Sequence, residues 1–298
     1  MQLRGSITAL ATPFAADGQL DLGALARLID RQIAAGTAAL VIAGSTGEAA
    51  MLEDEEFECL LRAAVKQTAG RIPLLAGCGL SGTARTVAQV RRAKACGIDV
   101  ALVVTPPYVR PTQAGLIAHF SSVAEQGGLP VVLYNVPSRA AGDLLPATVQ
   151  TLAAVPTIIG IKEALPDADR MRELLVLRRP GFAVLSGDDP TALRAMLDGA
   201  DGVISVASNV VPATFARLCE LAKSGQASAA ADLDRKLQPL YTSLAVAPNP
   251  IPLKAILAQL SLCADVVRLP LLPLPPELRD GLSEMTAAVS ALEDGRLA

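Results

Sequence analysis

The chain has 298 residues, 51% hydrophobic and 18% charged, with a formal net charge of −3. That balance supplies a large core and excludes a disordered chain, and the lack of any basic block excludes a nucleic-acid footprint. The length is long for an ordinary domain and normal for a barrel of alternating strands and helices.

The start, Met1-Gln-Leu-Arg-Gly-Ser6, carries no apolar run of the kind a signal peptide needs. The longest charge-free stretches, 144–161 and 237–253, are broken by prolines, so neither reads as a membrane span. Cys59, Cys78, Cys96, Cys219 and Cys263 are odd in number and lack a Cys-x-x-Cys spacing. They read as reduced thiols in a cytoplasmic protein. His119 is the only histidine, which leaves little material for a histidine metal site or a Ser–His–Asp triad. It falls in a helical pattern beside Phe120, where a packed or surface role is expected.

Strand-length apolar runs recur at 6–9, 39–43, 73–76, 100–104, 130–134, 157–161, 183–185 and 202–205. Helical patterns lie between and after them, at 21–29, 53–61, 81–95, 112–125, 167–177, 191–197 and 212–223. The carboxylates of Glu53, Asp54, Glu55 and Glu56 suit a helix N-terminus. Read as eight strand–helix units, the pattern implies parallel strands with crossover helices, hence an α/β (β/α)8 TIM barrel. The competing doubly wound sheet usually opens with Gly-x-Gly-x-x-Gly, and Ala11-Thr-Pro-Phe-Ala-Ala-Asp-Gly18 is not that turn. Beyond Gly225 the strands stop and helices are expected at 226–247, 249–260 and 277–292, with Asn249 as a cap before an N1 proline. The catalytic barrel is therefore placed at 1–224 and a C-terminal helical appendage at 225–298.

Working residues in such barrels sit just past the strands, on the C-terminal face. The sixth run ends in Lys162. An ammonium at the inner end of a buried strand is costly unless it is paired or gives up its proton. The free amine is a nucleophile that forms a Schiff base with a carbonyl. Taken alone, Lys162 fits slightly better a lysine that exits to solvent, so its neighbours decide.

Gly44-Ser-Thr-Gly-Glu48 after the second strand offers hydroxyls and open amides to a carboxylate. Thr105-Pro-Pro-Tyr-Val-Arg-Pro111 presents Tyr108 on a rigid loop, and the fifth strand ends in Tyr134-Asn-Val-Pro-Ser-Arg139. Tyrosine hydroxyls can relay protons where histidine is lacking. Asp188 and Asp189 disfavour a phosphorylated substrate and are expected to cap the helix that follows them.

Gly44-Ser-Thr-Gly-Glu48, Tyr134-Asn-Val-Pro-Ser-Arg139, Ile159-Gly-Ile-Lys-Glu163, Ser186-Gly-Asp188 and Asn249-Pro-Ile-Pro252 together resemble the dihydrodipicolinate synthase (4-hydroxy-tetrahydrodipicolinate synthase) family, from Gly5 to about Pro270. The resemblance implies a lyase of lysine and diaminopimelate biosynthesis that condenses pyruvate with L-aspartate-4-semialdehyde. Lys162 would form the Schiff base, and Tyr134 would shuttle protons. Thr46 would link Tyr134 to Tyr108, the latter delivered by a neighbouring subunit of a homotetramer. The amides of Ser45 and Thr46 would take the pyruvate carboxylate, and Arg139 that of the semialdehyde. Gly187 and Ile204 would add backbone groups. No metal, flavin or nicotinamide is implied, and the partners are small molecules, with neither nucleic acid nor membrane.

Two other readings stay open: a neuraminate or sugar-acid lyase, which generally lacks an arginine at position 139, and a non-catalytic keto-acid-binding barrel. Ala140 stands where the synthases usually carry threonine. Arg85 and Pro107 replace a glutamate and an aromatic of lysine-inhibited members, and Asp54 and Phe57 stand where those often have histidine, so weak or absent lysine inhibition is expected.

Overall fold

The computed structural model describes residues 3–297. Its centre is a closed parallel barrel of eight strands in chain order, β1 pairing with both β2 and β8. The strands are β1 (Gly5–Ala9), β2 (Ala39–Ile42), β3 (Leu74–Cys78), β4 (Val100–Val104), β5 (Val131–Asn135), β6 (Ile158–Glu163), β7 (Ala183–Ser186) and β8 (Gly202–Ser205).

The continuous apolar runs divide by the two-residue period of a strand. Val100, Leu102, Val132 and Tyr134 point into the barrel interior, while Ala101, Val103, Val131 and Leu133 pack under the surrounding helices. Those helices are α1 (Leu22–Ala34), α2 (Asp54–Thr68), α3 (Thr83–Ala95), α4 (Gln113–Gln126), α5 (Pro137–Ala140), α6 (Pro146–Leu152), α7 (Ala168–Leu175), α8 (Asp189–Leu197) and α9 (Pro212–Lys223). Asp21, Thr112, Asp167 and Asp188 cap α1, α4, α7 and α8 by accepting from free backbone N–H groups.

Beyond the barrel lie α10 (Ala227–Leu244), α11 (Ile251–Gln259) and α12 (Leu282–Leu297). They do not form a core of their own. Leu233, Leu237, Ile256, Met285 and Val289 share one apolar cluster with Ala192, Phe215 and Leu218 of α8 and α9. Glu293 on α12, almost fully buried, accepts hydrogen bonds from Ala213 N, Thr214 N and Thr214 Oγ1, and so caps α9 from a distance of 79 residues in sequence. Among the described residues no helix is long and apolar enough to cross a membrane.

Four local expectations need correction. The helical segment between β5 and β6 had no sequence pattern; it is two pieces, α5 and α6, of four and seven residues. Each starts on a proline at N1, and neither is long enough to show a helical period. β6 runs past residue 161 to take in Lys162 and Glu163, which pair with Tyr134 and Asn135. Asp189 does not cap α8; its Oδ2 accepts from Val206 N and Ala207 N and ties α8 to the end of β8. Asn249 is not the cap of α11, because Pro250 takes that position and Asn249 turns towards the cavity described next.

Candidate active site

A cavity of about 590 Å³ opens at the C-terminal ends of the strands. Lys162, Tyr134, Ser45, Thr46, Arg139 and Gly187 all line it. The strand period places Lys162 inward, where it is 5% exposed and its Nζ lies 4.3 Å from the centroid of the Tyr134 ring. Among the described residues Lys162 has no carboxylate partner, whereas the buried Lys254 sits 2.6 Å from Glu48 Oε1. The Lys162 side chain thus faces open space and an aromatic ring. Gly187 makes that position possible, since a Cβ there would stand 2.7 Å from Lys162 Cε.

One residue further on, the period turns Glu163 outward into full burial. Its carboxylate accepts from Asn135 Nδ2 at 3.1 and 3.0 Å and from Leu165 N at 2.8 Å. Asn135 also donates to Asp143 Oδ1, while its Oδ1 accepts from Leu144 N, both at 2.9 Å. Arg170 pairs with Asp143 at 2.5 Å and lies 4.0 Å from Glu163. Burial pushes the Glu163 carboxyl above the usual carboxylate range, and the Asn135 hydrogen bonds act in the opposite direction. This network fastens the ends of β5 and β6, the strands that carry Tyr134 and Lys162. An acid after a strand looks like the start of a helix, which hides this network in the sequence; the period-two flip at Lys162 is the available signal.

The loop after β2 is bent by left-handed backbone at Ala43 (φ 53°) and Glu48 (φ 56°). Gly77 lets the loop sit against β3, because a Cβ there would meet the Ala43 carbonyl oxygen at 2.2 Å. Thr46 Oγ1 accepts from Asn249 Nδ2 at 2.9 Å, and Arg139 donates to the Asn249 carbonyl, also at 2.9 Å. Asn249 therefore joins two expected site residues, a role the cap reading of its sequence hid.

Other expected residues are placed differently. Tyr108 is 90% exposed, has φ 74° and does not line the cavity. Among the described residues no hydrogen bond links Thr46 to Tyr134 or Tyr108; the partner of Thr46 is Asn249. Ile204 is fully buried inside the barrel, away from the cavity wall. Arg85 and Pro107 do line the cavity. Cys78 lines it as well, and burial pushes its thiol up to about 12, which keeps it protonated and a poor nucleophile. His119 is packed edge-on against Phe120 and bonded to Thr83 Oγ1 at 3.0 Å, outside the site. Among the described residues no group of three or more His, Cys, Asp and Glu side chains is arranged to hold a metal ion.

The dihydrodipicolinate synthetase family model matches residues 2–289. The 4-hydroxy-tetrahydrodipicolinate synthase of Xanthomonas axonopodis pv. citri is 56% identical over 293 residues, covering 98% of this chain and 97% of that one. Among solved structures, the chloride-inhibited dihydrodipicolinate synthase of Acinetobacter baumannii, complexed with pyruvate, is 38% identical with a TM-score of 0.95, covering 97% of this chain and 99% of that one. A monomeric dihydrodipicolinate synthase variant is 37% identical with a TM-score of 0.94, covering 97% of each chain.

Proposed function

The chain belongs to the dihydrodipicolinate synthetase family, and from that premise we propose how its own residues divide the work. The reaction is the condensation of pyruvate with L-aspartate-4-semialdehyde to 4-hydroxy-tetrahydrodipicolinate, a lyase step of lysine and diaminopimelate biosynthesis. Like the rest of the family it proceeds through a Schiff base with pyruvate.

Lys162 supplies the amine. It attacks the ketone carbon of pyruvate, and loss of water leaves an imine. The imine withdraws electrons from the neighbouring methyl group, which gives up a proton and becomes the carbon nucleophile of an enamine. That carbon adds to the aldehyde of the second substrate, whose oxygen takes a proton. The amine of the second substrate then displaces Lys162 from the imine carbon, which closes the ring and frees the enzyme.

Tyr134 is the proton carrier closest to these steps, its ring 4.3 Å from Lys162 Nζ. Ser45 and Thr46 hold the pyruvate carboxylate through backbone amides, with Gly187 and Ile204 contributing backbone groups around and beneath the same pocket. Arg139 grips the carboxylate of the semialdehyde, a task suited to a planar, two-pronged guanidinium. Thr46 completes a proton path only when Tyr108 reaches it from a neighbouring subunit. The 90% exposure of Tyr108 fits that delivery and an assembly as a homotetramer, a dimer of dimers. Residues 1–224 act as the catalytic barrel and 225–298 as its helical appendage. The free cysteines suit a cytoplasmic setting.

The single observation that carries this reading is Lys162: buried, without a carboxylate partner among the described residues, and open to the cavity beside Tyr134. Steady-state condensation of pyruvate with aspartate semialdehyde tests it. Turnover by the wild-type protein and its loss in Lys162→Ala are expected. Cleavage of sugar acids without semialdehyde condensation would overturn the substrate assignment.

A further inference from the structure

We propose that Lys254 and Glu48 are positioning residues, a buried ion pair through which the C-terminal helical region sets the shape of the loop that takes the pyruvate carboxylate. This rests on the pyruvate reading given above.

Both side chains are fully buried. Glu48 closes the loop after β2 in a left-handed conformation, two residues past Thr46. Its Oε1 lies 2.6 Å from Lys254 Nζ, and its Oε2 accepts from Arg268 N at 2.9 Å. Lys254 Nζ also donates to the Val266 carbonyl at 2.7 Å and stands 4.1 Å from the centroid of the Phe14 ring. The ammonium is thus fixed from three sides: by the loop, by the segment after α11 and by the aromatic ring of Phe14.

The same piece of chain reaches the loop a second time. Asn249, just before α11, donates to Thr46 Oγ1, so residues 46 and 48 are each tied to the C-terminal region. Arg268 extends the attachment, bonding Glu56 through both of its terminal nitrogens at 2.5 Å and also the carbonyls of Gly18 and Met51.

A fully buried pair of this kind adds little stability over apolar groups of similar volume, because desolvation offsets most of the attraction. What it fixes is direction and distance. Glu48 cannot move without taking from Lys254 the one carboxylate in contact with it among the described residues, so the backbone amides ahead of Glu48 are held where a carboxylate can meet them. An apolar contact would tolerate sliding; this one does not.

The test removes both charges together in Lys254→Met/Glu48→Gln, so that neither is left buried without its partner. Thermal unfolding near the wild-type midpoint is expected, with a pyruvate KM raised about tenfold while kcat and the semialdehyde KM stay within about twofold. Glu48→Asp keeps the charge and shortens the arm by one methylene, and serves if the double variant does not fold; a rise of about threefold in pyruvate KM is expected. A folded variant of either kind with the wild-type pyruvate KM would overturn the proposal. Borohydride trapping with pyruvate separates the two ideas. If the variants are trapped but show an unchanged pyruvate KM, the role of the pair fails alone. If the wild type is not trapped, the pyruvate reading fails and takes the pair's role with it.

Discussion

Two lysines show how one side chain type is put to opposite uses. Lys254 is buried against Glu48, and burial lowers its pKa while Glu48 raises it. Lys162 is buried beside Tyr134 with open space in front of it. A nucleophile needs the second arrangement, because a carboxylate partner would hold the proton in place. Among the described residues Arg139 is anchored through one of its nitrogens, on the Asn249 carbonyl, which leaves the rest of the fork for a substrate. Arg139→Ala should lower kcat/KM for the semialdehyde roughly 10- to 100-fold, the worth of a charge-assisted hydrogen bond of about 1.5–3 kcal/mol, and leave pyruvate trapping intact. Loss of trapping instead would place Arg139 on the pyruvate side.

His119 belongs to stability rather than to chemistry. Burial lowers its pKa from 6.5 to about 4. The unfolded chain therefore takes up a proton at a higher pH than the folded one. The stability linked to this is whole above pH 6.5 and is lost as pH falls towards about 4, by roughly 3 kcal/mol at most. Denaturation of His119→Phe should lose less stability than the wild type between about pH 7 and 4.5; equal losses would show that the imidazole is not responsible.

At the scale of elements, the β-strands were the most legible part of the sequence. Apolar, β-branched runs ending in special residues placed the barrel and the Lys162, Tyr134 and Thr46 positions that line the cavity. Short pieces begun by proline, such as α5 and α6, were hidden because a helical period needs more turns than they have. Asn249 was hidden for another reason: its contacts are with Thr46 and Arg139, 203 and 110 residues away, and no local pattern carries them. The helix α3 bears its own prediction. Arg85 on it is an exposed cation on the cavity wall, and Pro107 on the same wall has no N–H to offer a carboxylate. Lysine should inhibit weakly or not at all, and a titration showing strong inhibition below ~1 mM would contradict this.

At the scale of the whole molecule, two expected residues do not line the cavity: Ile204, buried inside the barrel, and Tyr108, which is 90% exposed. If a second copy receives it, two inactive variants should repair each other. Mixed assemblies of Lys162→Ala and Tyr108→Ala subunits contain sites with both an intact lysine and an intact incoming tyrosine. Co-refolding them should restore part of the condensation activity that each lacks alone, whereas no recovery in verified mixed assemblies would contradict the shared site. The C-terminal helices belong to the same unit, since they share the α8–α9 core and reach the β2 loop through Asn249 and Lys254.

The amine of Lys162 is best tested by incubating the wild-type protein with pyruvate and borohydride, then mapping the adduct by peptide mass spectrometry. A single reduced pyruvate on the peptide containing Lys162, with loss of activity in step, is the predicted result. An unmodified Lys162 peptide, or an adduct on a different lysine, would contradict it.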